Sequence, residues 1–373
     1  MPISIAIKKY KYLYRITNLL FDLFFFVLRN ILVINKTKNG NVVIVALNKL
    51  GDSVFTIPAM KEIIAYYKKN IVLLTYPETE PIYKIAFPEL SIVIIKHEQL
   101  HFHDRIAGHF ARKTLKFLCP GIIYDFTGSI RSASLIFNSR ASEVIGINEE
   151  HYKGIFTSFC PIKKKPHIID IYYDAIEAKI KCDRSEYSRT FPVYIEKNGK
   201  ILIHPFAGWS AKEWNMEKFI DLSLSLNKEY STSFVIPVNT IKKELLGELN
   251  RKGIEVLETS STEDLIRLIK NSSMMVSNDS GPVYIASLLG KPTFTIFGPT
   301  NPMFHLPYGK AHRFIQKTIH CSPKEWEKLC YKNGGYIGCP VFECMNNLSL
   351  KEVYDKLKEF INELGILKKI VTA

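Results

Sequence analysis

The chain has 373 residues, 47% hydrophobic and 23% charged, a profile that leaves room for two cores and excludes a disordered or low-complexity chain. Its formal charge is +14, from 50 Lys and Arg against 36 Asp and Glu, which favours acidic partners: a phosphorylated glycolipid, an anionic membrane surface or a nucleic acid. Lysines spread along the whole chain are a plainer source of the same charge, and no zinc-finger spacing or aromatic-basic platform occurs, so nucleic acid is not expected as a partner.

The N-terminus places basic Lys8, Lys9, Lys11 and Arg15 before the apolar run Leu19 to Leu28. Asp22 and Arg29 interrupt this run, it is short for a bilayer span, and no small-residue cleavage site follows. Two readings stay open for residues 1–40: a helix lying in a membrane interface, or a helix packed on the protein itself.

From Asn41 onward strand and helix alternate. Apolar runs at Val42–Ala46, Ile71–Thr75, Ser91–Lys96, Gly121–Phe126 and Glu143–Ile147 predict strands, with helices over Ser53–Lys69 and Asp104–Leu118. This is the pattern of a doubly wound parallel α/β domain over residues 41–195. A mixed region, Tyr152–Phe191, contains the basic run Lys163-Lys164-Lys165 and a helix around Asp170–Lys179. A second series follows over residues 196–373, with strands at Ile201–His204, Ser233–Val238, Ile254–Leu257, Met274–Ser277 and Thr293–Phe297. The last helix, Ser349–Leu364, opens with a capping-box spacing from Ser349 to Glu352. Two such domains are expected to face each other across a central cleft that holds the chemistry.

Three loops after predicted strands carry candidate residues. In Asn48-Lys49-Leu50-Gly51-Asp52, Gly51 allows a tight exit from the strand, and Asp52 sits at a helix start as a cap or as a base for a hydroxyl. The loop lacks G-x-G-x-x-G, which disfavours a nicotinamide dehydrogenase. After Ile203 comes His204-Pro205-Phe206-Ala207-Gly208-Trp209-Ser210-Ala211-Lys212-Glu213-Trp214, a cation beside two aromatic rings. After Ser277 comes Asn278-Asp279-Ser280-Gly281-Pro282, small residues and a proline at a helix start, where free amides and the dipole attract an anion. The pair suits a nucleotide-sugar diphosphate.

Seven cysteines, an odd number, point to a reducing compartment. Cys321, Cys330, Cys339 and Cys344 lack the paired C-x-x-C form of a zinc ribbon, and a loop with free or buried thiols is expected there in place of a metal.

Taken in order, Asn48 to Asp52, Asp125-Phe126-Thr127-Gly128-Ser129-Ile130-Arg131-Ser132, His204 to Trp214, Asn278 to Pro282 and Phe297-Gly298-Pro299-Thr300-Asn301-Pro302 resemble one family over roughly residues 41–365. It is the ADP-heptose:lipopolysaccharide heptosyltransferases, glycosyltransferase family 9. The resemblance implies a GT-B fold of two Rossmann-like domains, an N-terminal acceptor domain and a C-terminal donor domain. It also implies inverting, metal-independent transfer of heptose from ADP-heptose to the lipopolysaccharide inner core, without a cofactor. Asp52 matches the family's proposed base, and Lys212 the residue offsetting charge on the leaving diphosphate. Trp209, Ser210, Trp214, Asp279, Ser280, Gly281, Pro282 and Tyr284 fall at donor-binding positions; Lys49, Gly51 and Arg131 at acceptor-binding ones. Tyr284 stands where many relatives carry His, and Ala46 where many carry Arg, which bears on donor or acceptor identity. The expected partners are a nucleotide sugar, an anionic glycolipid and the inner face of the cytoplasmic membrane. The competing readings are a transferase for another nucleotide-hexose and surface glycan, and a sugar-nucleotide-binding protein without catalysis.

Overall fold

A computed structural model describes residues 11–32, 36–148, 152–161, 167–184, 191–330, 339 and 341–369. Lys8, Lys9 and the basic run Lys163–Lys165 lie outside the described residues. The chain forms two compact units, one of residues 1–48 and 55–184, the other of residues 49–54 and 185–373.

The first unit holds a six-stranded parallel sheet of β1 (Asn41–Val45), β2 (Ile71–Thr75), β3 (Ser91–Ile94), β6 (Pro120–Asp125), β7 (Glu143–Asn148) and β8 (Ser158–Pro161), in the order β3-β2-β1-β6-β7-β8. A separate two-stranded ribbon pairs β4 (Leu100–His101) with β5 (Ile106–Ala107). In the sheet Val43 is flanked by Val72 and Ile123. Four consecutive apolar residues of β1, Val42 to Val45, are buried, because helices cover both faces of a parallel sheet.

The second unit repeats the winding. Its strands are β9 (Lys200–His204), β10 (Thr232–Pro237), β11 (Glu255–Thr259), β12 (Ser272–Asn278), β13 (Thr293–Phe297) and β14 (His312–Gln316), ordered β11-β10-β9-β12-β13-β14. Its core joins Ile203, Trp214, Phe219, Phe234 and Phe294 with Val353, Leu357 and Phe360 of the Leu350–Leu364 helix. The Ser349 and Glu352 side chains form the expected capping box. In each sheet the strand order reverses between two neighbours, β1 and β6 or β9 and β12, and the loops leaving the carboxyl ends of such strands are where α/β folds place ligands.

Several expectations are corrected. The helix placed over Asp104–Leu118 begins only at His109: Phe102, His103 and Asp104 all take left-handed φ values of 55–61°, closing the β4–β5 ribbon instead. β8 adds a strand inside the region read as mixed, and β14 adds one beyond Phe297. Helices at Glu80–Ala86 and Ile130–Ile136 also went unassigned.

The N-terminal helix, Lys11–Val27, docks on the first unit. Phe25, 3% exposed, packs edge-on against Tyr152 at 5.5 Å between centroids. Asp22 Oδ1 accepts from the Lys153 amide at 2.6 Å, and buried Arg29, one turn on, donates to the Ala141 carbonyl at 2.7 Å. Burial lowers the Arg29 pKa to about 10. Gly154 is required here, since a Cβ would lie 2.1 Å from the Asp22 carbonyl.

Candidate active site

The second unit builds its site on the loops that leave β9 and β12. Buried Asn278, the last residue of β12, ties them together: its Oδ1 accepts from the Trp214 amide at 3.0 Å and its Nδ2 donates to the Pro205 carbonyl at 2.7 Å. A single 3-10 turn, Ser210–Lys212, then presents Lys212. The Ala207 amide donates to Glu213 Oε1 at 3.0 Å and closes the loop on itself.

Lys212 Nζ lies 2.5 Å from Asp279 Oδ2 and 5.1 Å from the centre of the Trp209 ring. Asp279 is 2% exposed and fully engaged: Tyr284 donates its hydroxyl to Oδ1, and Thr300 Oγ1 donates to Oδ2 at 2.7 Å. Burial alone would raise the Asp279 pKa, but Lys212, the nearby His305 and the Tyr284 hydroxyl hold it well below the usual carboxylate range. Burial, Asp279 and Asp52 together push the Tyr284 phenol well above its ordinary value. The Asp279 carboxylate is therefore occupied by Lys212, Tyr284 and Thr300. Thr300, part of the Phe297–Pro302 motif, belongs to this network, and its carbonyl accepts from Gln316 Nε2 at 2.8 Å.

The helix Gly281–Leu288 starts directly beside this pair, with Ser280 as its cap and Pro282 in its first turn. Ser280 does not cap with its side chain; its hydroxyl bonds that of Ser277 at 2.9 Å, Pro282 carries no N–H, and the Val283 amide donates to the Ser280 carbonyl at 3.2 Å. Segment 49–54 belongs to the same unit. Asp52 lies within the first turn of the Leu50–Tyr67 helix, two residues past its start, and so is not the cap residue. Gly51 has no left-handed φ; its lack of a Cβ matters because that atom would lie 2.6 Å from the Tyr284 ring. Lys49 is exposed.

Two expected site residues have other employment. Trp214 is 1% exposed, packs edge-on against Phe219 and donates its indole N–H to the Leu348 carbonyl at 2.9 Å, so its ring is core and is not presented to a ligand. Trp209 and Ser210 remain accessible. Arg131, in the first unit, donates to the carbonyls of Asp104 at 2.6 Å and Leu47 at 3.0 Å and lies over the Tyr76 ring, which makes it a brace between loops. Asn278 stood in the motif, but nothing in its spacing showed that it joins the two loops. Cys321, Cys330, Cys339 and Cys344 line one small pocket with Ala211 and Pro299, with space for little more than a water molecule. Among the described residues no three His, Cys, Asp or Glu side chains are grouped so as to hold a metal ion.

The chain is similar to known proteins along most of its length. The chain is 24% identical over 329 residues to lipooligosaccharide heptosyltransferase 2 of Campylobacter jejuni, covering 83% of this chain and 96% of the relative. The solved structure of E. coli ADP-heptose lipopolysaccharide heptosyltransferase II superposes with a TM-score of 0.64 at 17% identity, covering 87% of this chain and 99% of that one. The E. coli heptosyltransferase solved with ADP-2-deoxy-2-fluoro heptose gives 0.60 at 16% identity, covering 86% and 99%. These likenesses give the fold, two Rossmann-like sheets of GT-B type. Residues 112–333 match the model of glycosyltransferase family 9 (heptosyltransferase), well over half of the chain, and the protein belongs to that family of glycosyltransferases.

Proposed function

We propose that the protein transfers heptose from ADP-heptose to an inner-core sugar of lipopolysaccharide, inverting the anomeric carbon, at the inner face of the cytoplasmic membrane. The donor is that of the E. coli relative, whose bound ligand is a fluorinated ADP-heptose. The carrying observation is the Lys212–Asp279 pair beside the start of the Gly281–Leu288 helix, a fixed cation and the positive end of a helix dipole where a diphosphate's charge would grow.

In this reading the acceptor hydroxyl oxygen attacks the anomeric carbon and Asp52 takes its proton. The bond from that carbon to the diphosphate oxygen breaks, and the electron pair leaves with ADP. Lys212 and the amides at Ser280 and Gly281 meet the new charge, so the charge of the leaving group is balanced without calling on a metal ion. Trp209 and Ser210 line the donor, the second unit binds it, and the first unit receives the anionic glycolipid together with Lys49. Arg131 keeps its bracing role.

The test is transfer from ADP-heptose to a core oligosaccharide, followed by product mass and by NMR of the new anomeric linkage. Asp52→Asn is expected to lower kcat by about 10²–10⁴-fold, the usual range for a lost general base. Lys212→Ala is expected to lower it by about 10²–10³-fold. Near-normal rates from folded variants would remove both residues from these roles. Tighter thermal-shift binding of a UDP-sugar than of ADP-heptose would instead favour the other nucleotide-hexose, a reading that Tyr284 keeps in view.

A further inference from the structure

The Lys11–Val27 helix is built inside out. Its interrupting polar residue Asp22 and Arg29, two residues past its end, face the body of the first unit, where Asp22 accepts from the Lys153 amide and Arg29 donates to the Ala141 carbonyl. Phe25 is the large apolar residue buried between them. The opposite side carries Ile16, Leu19, Leu20, Leu23 and Phe24, each between 53% and 68% exposed, and Phe26 lies beside them at 50%. At 100° per residue the first five fall within one stripe about 140° wide. A helix that turns its polar residues inward and a continuous apolar stripe outward is ordered for an apolar surrounding on its outer side.

We infer that this stripe seats the protein on the surface of an anionic phospholipid bilayer, the helix lying in the plane of the headgroups. The inference deepens the reading of a membrane-side acceptor given above and rests on it only for the identity of the surface. Two observations select lipid. No helix among the described residues is long and apolar enough to cross a membrane, and the exposed stripe runs lengthwise along one side of this one, the geometry of a helix lying in the plane of the headgroups. Charge also decides against a second copy: pairing two of these chains brings +14 against +14, whereas Lys36 and exposed Lys38 after the helix and exposed Lys153 beside it match a negative surface. The glycine at 154 and the Asp22 and Arg29 bonds fix the helix to the first unit, so seating the helix seats the enzyme.

The experiment is co-sedimentation of the full chain with vesicles of phosphatidylglycerol and phosphatidylcholine, or of phosphatidylcholine alone, beside the variant Leu20→Gln/Leu23→Gln and the control Phe110→Gln, an exposed apolar residue elsewhere on the first unit. The wild type and the control should sediment with the anionic vesicles and less so in high salt, and the double variant should lose at least about tenfold in partition. All three should melt at the same temperature, since the changed side chains are exposed. Wild type that stays in the supernatant, or a double variant that binds as well, would overturn the inference. So would a fall in melting temperature of the double variant, which would mean a packed face, or a wild-type dimer that the double variant converts to monomer, which would mean a second copy. Transfer to a soluble core oligosaccharide reports separately on the proposed chemistry and should be unchanged in the double variant.

Discussion

Replacing Asp279 by Asn keeps its shape and removes its charge. The Lys212 ammonium, 15% exposed, would then face a neutral amide, with Tyr284 and Thr300 competing for one remaining oxygen. Breaking a buried pair by removing one partner costs about 3–5 kcal/mol, and the partial access of water to Lys212 puts this case near the lower end. At about 2–4 °C per kcal/mol for a unit of this size, the melting temperature should drop by roughly 6–12 °C. Catalysis should fall as well, because a cation no longer fixed is a poorer counter-charge: about 10–100-fold in kcat, or roughly 1.4–2.7 kcal/mol, with donor KM moving less. The clean assay is a double-mutant cycle of Lys212→Met and Asp279→Asn, read both by urea unfolding and by kcat. If the two residues act as a pair, the double variant should be about as impaired as the worse single one, a coupling of at least about 1.5 kcal/mol. Additivity within about 0.5 kcal/mol in both readouts would refute the reasoning.

Three further outcomes follow from the same geometry. Tyr284→Phe removes one hydrogen bond to a charged acceptor and should cost about 1.5–3 kcal/mol of stability while lowering kcat less than Lys212→Ala; an equal loss of kcat would make the phenol a direct participant. Trp214→Ala should destabilise the second unit by about 3–5 kcal/mol, and a variant rescued at low temperature should keep the donor KM of the wild type; a large rise in KM would restore the ring to the donor site. Asp125, fully buried, has its pKa raised from 3.8 to about 6 by burial. Between those values the native state keeps a proton that the unfolded chain has released, so its contribution to stability is lost as pH rises. Asp125→Asn should therefore gain on the wild type by on the order of 3 kcal/mol from pH 4 to pH 7 in urea unfolding, and a flat difference would refute the burial argument.

The central strands were legible because burial on both faces writes them as unbroken apolar runs, Val42–Val45 and Ile201–Ile203 among them. Of the edge strands, β3 and β11 were legible as apolar runs, but β8 and β14 were not. Ser158–Pro161 is short, only partly buried and ends in proline, and His312–Gln316 mixes charge with apolar residues because the edge faces solvent. The ribbon at 100–107 hid behind a helical spacing, since three successive left-handed residues without glycine have no simple sequence signal. In the second unit, the proline-bearing helix start at Gly281 and the lysine beside an aromatic ring were readable from local chemistry. Which residue holds the lysine was not, because Lys212 and Asp279 meet only after three strands and three helices have been laid between them, and Thr300 joins them a helix and a strand later. Trp214 misled for the same reason: an aromatic beside a lysine looks like a binding face until the Leu350–Leu364 helix and the Leu348 carbonyl cover it.

Asn278 has a thermodynamic corollary. A buried amide that grips the chain on both sides of the lysine loop holds that loop in shape before any sugar nucleotide arrives, as does Gln316 for the stretch around Thr300. Little conformational freedom then remains to be surrendered on association, so affinity is spent on the ligand and not on ordering the protein. Calorimetry should return a heat-capacity change no larger than the apolar area covered by the nucleotude itself would give, and amide exchange over residues 205–214 should already be slow in the empty enzyme.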